Sequence, residues 1–180
     1  DIDDCARGHL LAAERGKAID PERLNRACQQ FTKQIQRADG IMKNMSCFAH
    51  SVDHFEGQIN LHELADLVAN LAGRLAAMRK LAIEVIPPPT AVVFAGNPFL
   101  VQNLIWMCLQ FAFAATKAGG TLLLRAAQDD RGTTLRIGGI DNLDHDFARQ
   151  MPSGYEDLLT ALDAKISAAA DNGELVLRLA

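Results

Sequence analysis

Apolar and small residues in the first third of the chain recur at alternating four- and three-residue steps. The series runs Leu24, Cys28, Phe31, Ile35, Ala38, Met42, Met45, Ala49 and Val52. A seam of that period predicts one continuous helix that packs against others along its length. Asp20 as N-cap and Pro21 at the first helical position give its start, and the pattern carries to about Phe55, with Gly40 tolerated at some cost. Ala27, Ile41 and Phe48 widen the seam, which suits a bundle better than a two-stranded zipper. Ala6, Leu10 and Ala13 mark a shorter helix upstream that ends near Lys17. Two such helices cannot bury the whole stripe, so a dimer forming a four-helix bundle is expected.

The pattern changes near Gly57. Gln58 to Leu61 reads as extended, and Leu64, Leu67, Val68, Leu71, Leu75 and Met78 mark an amphipathic helix. Leu81 to Ile86 alternates like a strand, the prolines 87–89 form a rigid turn, and Ala91 to Phe94 reads as a short strand. Asn97-Pro98 opens an apolar helix that Gly119-Gly120 stops. Thr121 to Ala127 and Thr133 to Ile140 are strands around a turn at 129–132. Ser153 to Asp163 follows as a helix with a Ser cap. Ala164 to Ala170 and Glu174 to Leu179 pair across Asn172-Gly173, read as a type I′ turn. The expected fold class is α+β: a helical hairpin over residues 1–56, then an α/β sandwich over 57–180 with helices on one face of a mixed sheet.

Composition adds limits. At 49% apolar the chain has enough for a real core. A net charge of −4 gives no electrostatic footprint for nucleic acid. Cys5, Cys28, Cys47 and Cys108 form no CxxC pair and read as reduced, intracellular thiols; no signal peptide is visible, and a cytoplasmic setting is expected. Pro98 to Ala115 approaches a membrane span in length, but it carries Gln102, Asn103 and Gln110. A buried helix of a soluble domain, without membrane contact, is the expectation.

The order of elements, with four local stretches, resembles the core of bacterial sensor histidine kinases. Gln36 to His50 is similar to the end of that family's second dimerisation helix. Ile59-Asn60-Leu61-His62-Glu63-Leu64 is similar to the segment that opens its catalytic domain. Phe99 to Ile105 is similar to its asparagine-bearing helix, and Leu135 to Asn142 to the strand leading into "DNG.G". The resemblance covers nearly the whole chain. It implies a homodimer, a response-regulator receiver domain as partner, and ATP with Mg²⁺ as cofactor. Asp141 would accept from the adenine amino group, with Asn142 beside it. Gln110 would stand at the Mg²⁺-holding asparagine, and Gly154 at the Gly-rich box that contacts phosphate.

The departures from the family weigh against that cofactor. Trp106 and Gln110 replace two asparagines, and the longer Gln side chain suits strict octahedral Mg²⁺ poorly. Phe113 stands at a position often polar. Leu143 replaces the glycine after Asn142. The Gly-rich box is reduced to Gly154-Tyr155-Glu156-Asp157-Leu158, whose carboxylates oppose phosphate, and the stretch between Asn142 and Gly154 is short for a lid. Gly138-Gly139 sit inside a strand pattern, where a bulge or close packing explains them. His9 is the one candidate phosphoacceptor on the upstream helix. Leu10-Leu11 follow it where the family has an acidic residue, and residues 8–14 look more like the segment after the acceptor box.

Other candidates have plainer explanations. Cys47, His50 and His54, with Asp53, share spacing that fits metal ligands, but spacing supplies no fourth ligand, and histidines also favour helix C-termini. His62 is a weaker ligand candidate. Trp106 on an apolar helix is more often core than a stacking platform. Asp144, His145 and Asp146 read as a solvated loop. Asp141-Asn142 also fits an ordinary turn. Three functions stay open: a phosphotransfer or docking module for a response regulator with a degraded ATP site, a weakly nucleotide-binding kinase fragment, and a pure dimerisation scaffold. Autokinase activity of this chain is not expected.

Overall fold

A computed structural model describes residues 21–53, 57–129, 132–144 and 146–179. The helix expected upstream, with His9 and Cys5, falls outside the described residues, as do His54 and His145. The chain divides into two compact units, one ending at Ser46 and one from Cys47 to Ala180.

Helix α1 spans Pro21–Asp53. Its first unit, to Ser46, is the expected seam, and most of it is open. Ile35, Met42 and Met45 are 68%, 67% and 62% exposed, and Leu24, Phe31 and Ile41 are exposed as well.

In the second unit, α1 ends and β1 (Gly57–Asn60) leads into α2 (Leu61–Met78). Asn60 caps α2: its side chain accepts from the backbone N–H of His62 and Glu63, and its Nδ2 donates to Glu63 Oε1 at 2.9 Å. Cap and third residue thus hold each other, as in a capping box, but here Glu63 accepts from the Asn60 side chain and not from its backbone N–H. Then come β2 (Ala82–Ile86), β3 (Val93–Gly96) and α3 (Pro98–Ala115). Asn97 caps α3, its Oδ1 accepting from Leu100 N–H at 3.1 Å with Pro98 next in line. Strands β4 (Thr121–Asp129) and β5 (Gly132–Gly138) precede a 3₁₀ turn, Phe147–Gln150. Helix α4 (Tyr155–Ala161), β6 (Lys165–Ala169) and β7 (Glu174–Leu179) finish the fold.

The main sheet has the order β2-β4-β5-β7-β6. Strands β2 and β4 are parallel and the other pairs antiparallel, while β1 and β3 form a separate two-stranded ribbon. One face of the main sheet is apolar: Leu122, Leu124, Leu135, Ile137, Leu175, Leu177 and Leu179 are at most 1% exposed. Helices α2 and α3 supply the facing layer through Leu61, Ala65, Ala72, Val101, Leu104, Ile105 and Leu109, all at 0%. The alternate positions carry charge, and the pairs Arg136–Glu174 and Arg178–Asp129 each close at 3.2 Å. This is the mixed sheet with helices on one face that the pattern predicted.

Four local expectations change. The apolar helix stops at Ala115 with an extended Thr116 cap, before Gly119-Gly120, which shape the turn into β4. Gly154, at φ 88°, precedes α4, and no side chain caps it, so Ser153 is not the cap. Strand β5 ends at Gly138, short of Ile140. The last hairpin is joined by a 3₁₀ turn, Ala170–Asn172, with Gly173 left-handed, instead of a two-residue type I′ turn. Gly139 is a close-approach glycine: φ is 85°, and a Cβ there would strike the Thr121 carbonyl oxygen. Helix α3 is the one described helix long and apolar enough to cross a membrane. Its apolar side chains are instead the centre of the core.

Candidate functional site

The residues expected to hold a nucleotide come from three elements: α3, the end of β5 and the start of α4. Strand β5 delivers Asp141 and Asn142 to the C-terminal end of α3, and both bind backbone there. Asp141 Oδ2 accepts from Lys117 N–H at 2.8 Å. Asn142 donates its own N–H to the Ala115 carbonyl at 3.0 Å, and its Nδ2 to the same oxygen at 3.2 Å. Ala115 is the last residue of α3, so Asn142 satisfies a carbonyl that the helix leaves without an internal partner.

Gln110 is half-buried on α3. Among the described residues no hydrogen bond joins it to Asp141, Asn142 or Gly154. Phe113 is 3% exposed and belongs to the core. Gly154 is exposed at the start of the seven-residue α4, with Glu156 and Asp157 in the first turn. Tyr155 donates its hydroxyl to Glu156 Oε1 at 3.3 Å. Burial first, and then the charge and hydrogen bond of Glu156, hold the Tyr155 phenol above its ordinary range.

The stretch between Asn142 and Gly154 was expected to be short. Sequence reasoning missed that it is packed. Leu143, Phe147 and Met151 are 8%, 9% and 8% exposed and belong to the core. The Phe147 ring meets Phe111 of α3 edge-on, with centroids 6.2 Å apart and planes at 65°. Leu158 and Leu159 of α4 pack against the same core. The four-residue spacing of Phe147 and Met151 was the available signal. Around this segment the exposed charges are mostly acidic: Asp141, Asp144, Asp146, Glu156 and Asp157. Arg149 is held by Asp146 at 3.5 Å.

The other candidates fall out as follows. Cys47 and His50 are exposed near the end of α1, and no metal-binding cluster occurs among the described residues. His62 is half-buried, and its Nδ1 has no hydrogen-bond partner. Trp106 packs against the core and also lines a cavity of about 290 Å³ with Phe48, Val68, Leu71, Gln102 and Asn103. A second cavity, of about 360 Å³, lies between α2 and the edge strand β2. Neither of these two is lined by Asp141, Asn142, Gln110 or Gly154. Burial pushes the Cys108 thiol up to about 12.

No family model matches the chain, and no curated protein matches it. Solved structures do match in fold, and they are catalytic or cytoplasmic domains of histidine kinases. The Acinetobacter baumannii histidine kinase AdeS aligns over 99% of this chain and 94% of its own, at 12% identity and a TM-score of 0.54. The ATP-binding domain of PrrB from Mycobacterium tuberculosis aligns over 70% of this chain and 97% of its own, at 18% identity and a TM-score of 0.56. The catalytic domain of the histidine kinase ThkA covers 69% of this chain and 94% of its own, at 13% identity and a TM-score of 0.57. The chain therefore carries a helical element followed by a domain with the fold of a histidine kinase ATPase domain. At these identities the likeness establishes the fold and leaves activity to the site itself.

Proposed function

We propose that this chain is a two-component signalling module, built like a histidine kinase core but without a working ATP site, that serves as a phosphotransfer or docking module for a response-regulator receiver domain. One observation carries the reading. The segment after Asn142, which in the family leads to the nucleotide lid, is packed on α3 through Leu143, Phe147 and Met151.

The residues do not fit Mg–ATP. The carboxylate expected to accept from adenine already accepts from the Lys117 backbone. Gln110, the expected metal position, is hydrogen-bonded to none of the other expected site residues among the described residues. Glu156 and Asp157 begin the helix where phosphate would sit, and like charge there costs binding. The exposed seam of α1 supports a homodimer, because a stripe holding Phe31, Ile35, Met42 and Met45 gains by covering itself with a second copy. A receiver domain would dock on that bundle, in the cytoplasm. His9 is the proposed acceptor within the chain if phosphoryl transfer occurs on it.

The test is a calorimetric titration of a Mg–ATP analogue into the purified chain. The expected result is no heat and no thermal stabilisation. Saturable heat that weakens in Asp141→Ala would replace this reading with that of a weakly nucleotide-binding kinase. That second reading draws on Asp141 itself, which is exposed at the end of β5.

A further inference from the structure

Independently of the signalling reading, we propose that the cavity formed by the end of α1 and the α2–α3 pair binds a small, uncharged aromatic molecule bearing a carbonyl oxygen. The cavity measures about 290 Å³, the small end of the range for ligand sites and room for one ring with a short substituent. Its walls are Phe48, Val68, Leu71 and Trp106, with Gln102 and Asn103 as the polar groups. Phe48 is fixed edge-on against Phe99, at a centroid distance of 6.0 Å. Trp106 is half-buried and contributes indole surface. No charged side chain lines the cavity, so a charged guest would lose its hydration without gaining a counter-charge.

Gln102 gives the site its chemistry. It is 3% exposed, yet its amide is only partly satisfied. The Ser51 hydroxyl lies 2.7 Å from the Phe48 carbonyl oxygen and 3.1 Å from Gln102 Oε1, and it has one proton to donate. No other hydrogen bond reaches Gln102 among the described residues. Whichever way the amide is turned, at least one of its N–H groups has no partner among the described residues, and the residue lines the cavity. A donor open to an apolar cavity gains from an incoming acceptor. Asn103 donates Nδ2 to the Phe99 carbonyl at 2.9 Å and keeps its own oxygen for a ligand N–H. A ring with a carboxamide matches both groups.

The chain contains one tryptophan, so its ¹H–¹⁵N spectrum has a single indole signal, from Trp106. Benzamide is the probe, and toluene, the ring without the carbonyl, is the comparator. Benzamide should move the indole and Gln102 side-chain signals saturably, with a Kd of about 1 mM, as expected for so small a ligand. Toluene should bind roughly tenfold more weakly, the worth of one buried hydrogen bond. Gln102→Leu should abolish that preference. If Gln102→Leu does not fold, Leu71→Arg at the exposed rim supplies the second variant, and it should block benzamide. The proposal is overturned by an indole signal that does not move, by equal binding of the two probes to the parent chain, or by a folded Leu71→Arg that binds benzamide unchanged. None of these outcomes depends on nucleotide binding.

Discussion

The exposed seam of α1 makes a quantitative prediction. Ile35 lies midway along it, with 68% of its surface in solvent. Fully burying an isoleucine is worth about 1.5–3 kcal/mol, so covering the exposed part of Ile35 gains roughly 1.5 kcal/mol per protomer. A two-fold axis counts every position twice, which brings the pair to about 3 kcal/mol. Ile35→Asp removes that gain and also places a carboxylate against the partner's apolar stripe, adding at least 1 kcal/mol by unsatisfied burial. The dimer dissociation constant should rise roughly a thousandfold. Sedimentation equilibrium over a range of protein concentrations reads it directly. Gln36→Asp is the control, because Gln36 is exposed one residue off the seam and should leave association unchanged. Circular dichroism should show the helix content of both variants retained. A parent chain that stays monomeric at high micromolar concentration would refute the reasoning, and so would an Ile35→Asp chain that associates as tightly as the parent.

The core and the candidate site give further expectations. Phe147→Ala removes a ring that is 9% exposed and packed on Phe111, and should cost about 3 kcal/mol of stability, read as a lower urea midpoint; a change under 0.5 kcal/mol would mean the segment is not packed. Asp141→Ala removes the acceptor for Lys117 N–H and should cost about 1 kcal/mol without altering the response to a Mg–ATP analogue. Exposed Cys47 should alkylate in the native protein, whereas buried Cys108 should react only after unfolding, as peptide mapping would show. Burial raises the Cys108 thiol from 9.0 to about 12, so its protonated form is favoured in the fold. Its contribution is intact below the unfolded value and is lost as pH climbs from there toward 12, at about 1.4 kcal/mol per pH unit. Cys108→Ala should flatten that part of the alkaline decline in urea midpoints.

The long helix and the main strands were legible because period and punctuation agree there. Pro21 and Asn97-Pro98 mark helix starts, and alternation in the later strands follows the buried face of the sheet. Two misread places involve glycine. Asn172-Gly173 is a strong hairpin pair, yet a 3₁₀ turn, Ala170–Asn172, comes between the strands and leaves only Gly173 left-handed. At α4 the Ser153 signal yields to Gly154, whose positive φ aims the chain into the helix without a side-chain cap. Around the candidate site, sequence showed where the chain departs from the kinase pattern but not how the segment after Asn142 packs. The four-residue spacing of Phe147 and Met151 is a signal, but one step is too short a run to fix a period, and their burial depends on α3, which is distant in sequence.

On the proposed reading, the membrane-like hydropathy of α3 and the departures from the kinase pattern have one physical source. A helix apolar all round needs cover on every side. The main sheet covers one side of α3 and α2 covers another. The remaining side includes Phe111, which is 2% exposed and meets the Phe147 ring. An open nucleotide cleft along that side would put this ring in water. Phe147 covers it, within the core that Leu143, Met151 and the apolar positions of α4 also join. Leu143 is thus more than a missing glycine, because its side chain is itself part of the cover. Reopening the cleft would expose at least Phe111 and Phe147, at roughly 1.5–3 kcal/mol for each side chain. A nucleotide would have to repay that sum before any net affinity appeared, and it would do so beside Glu156 and Asp157. On the proposed reading, polar substitutions at Phe111 and Phe147 should therefore destabilise the chain without conferring nucleotide binding.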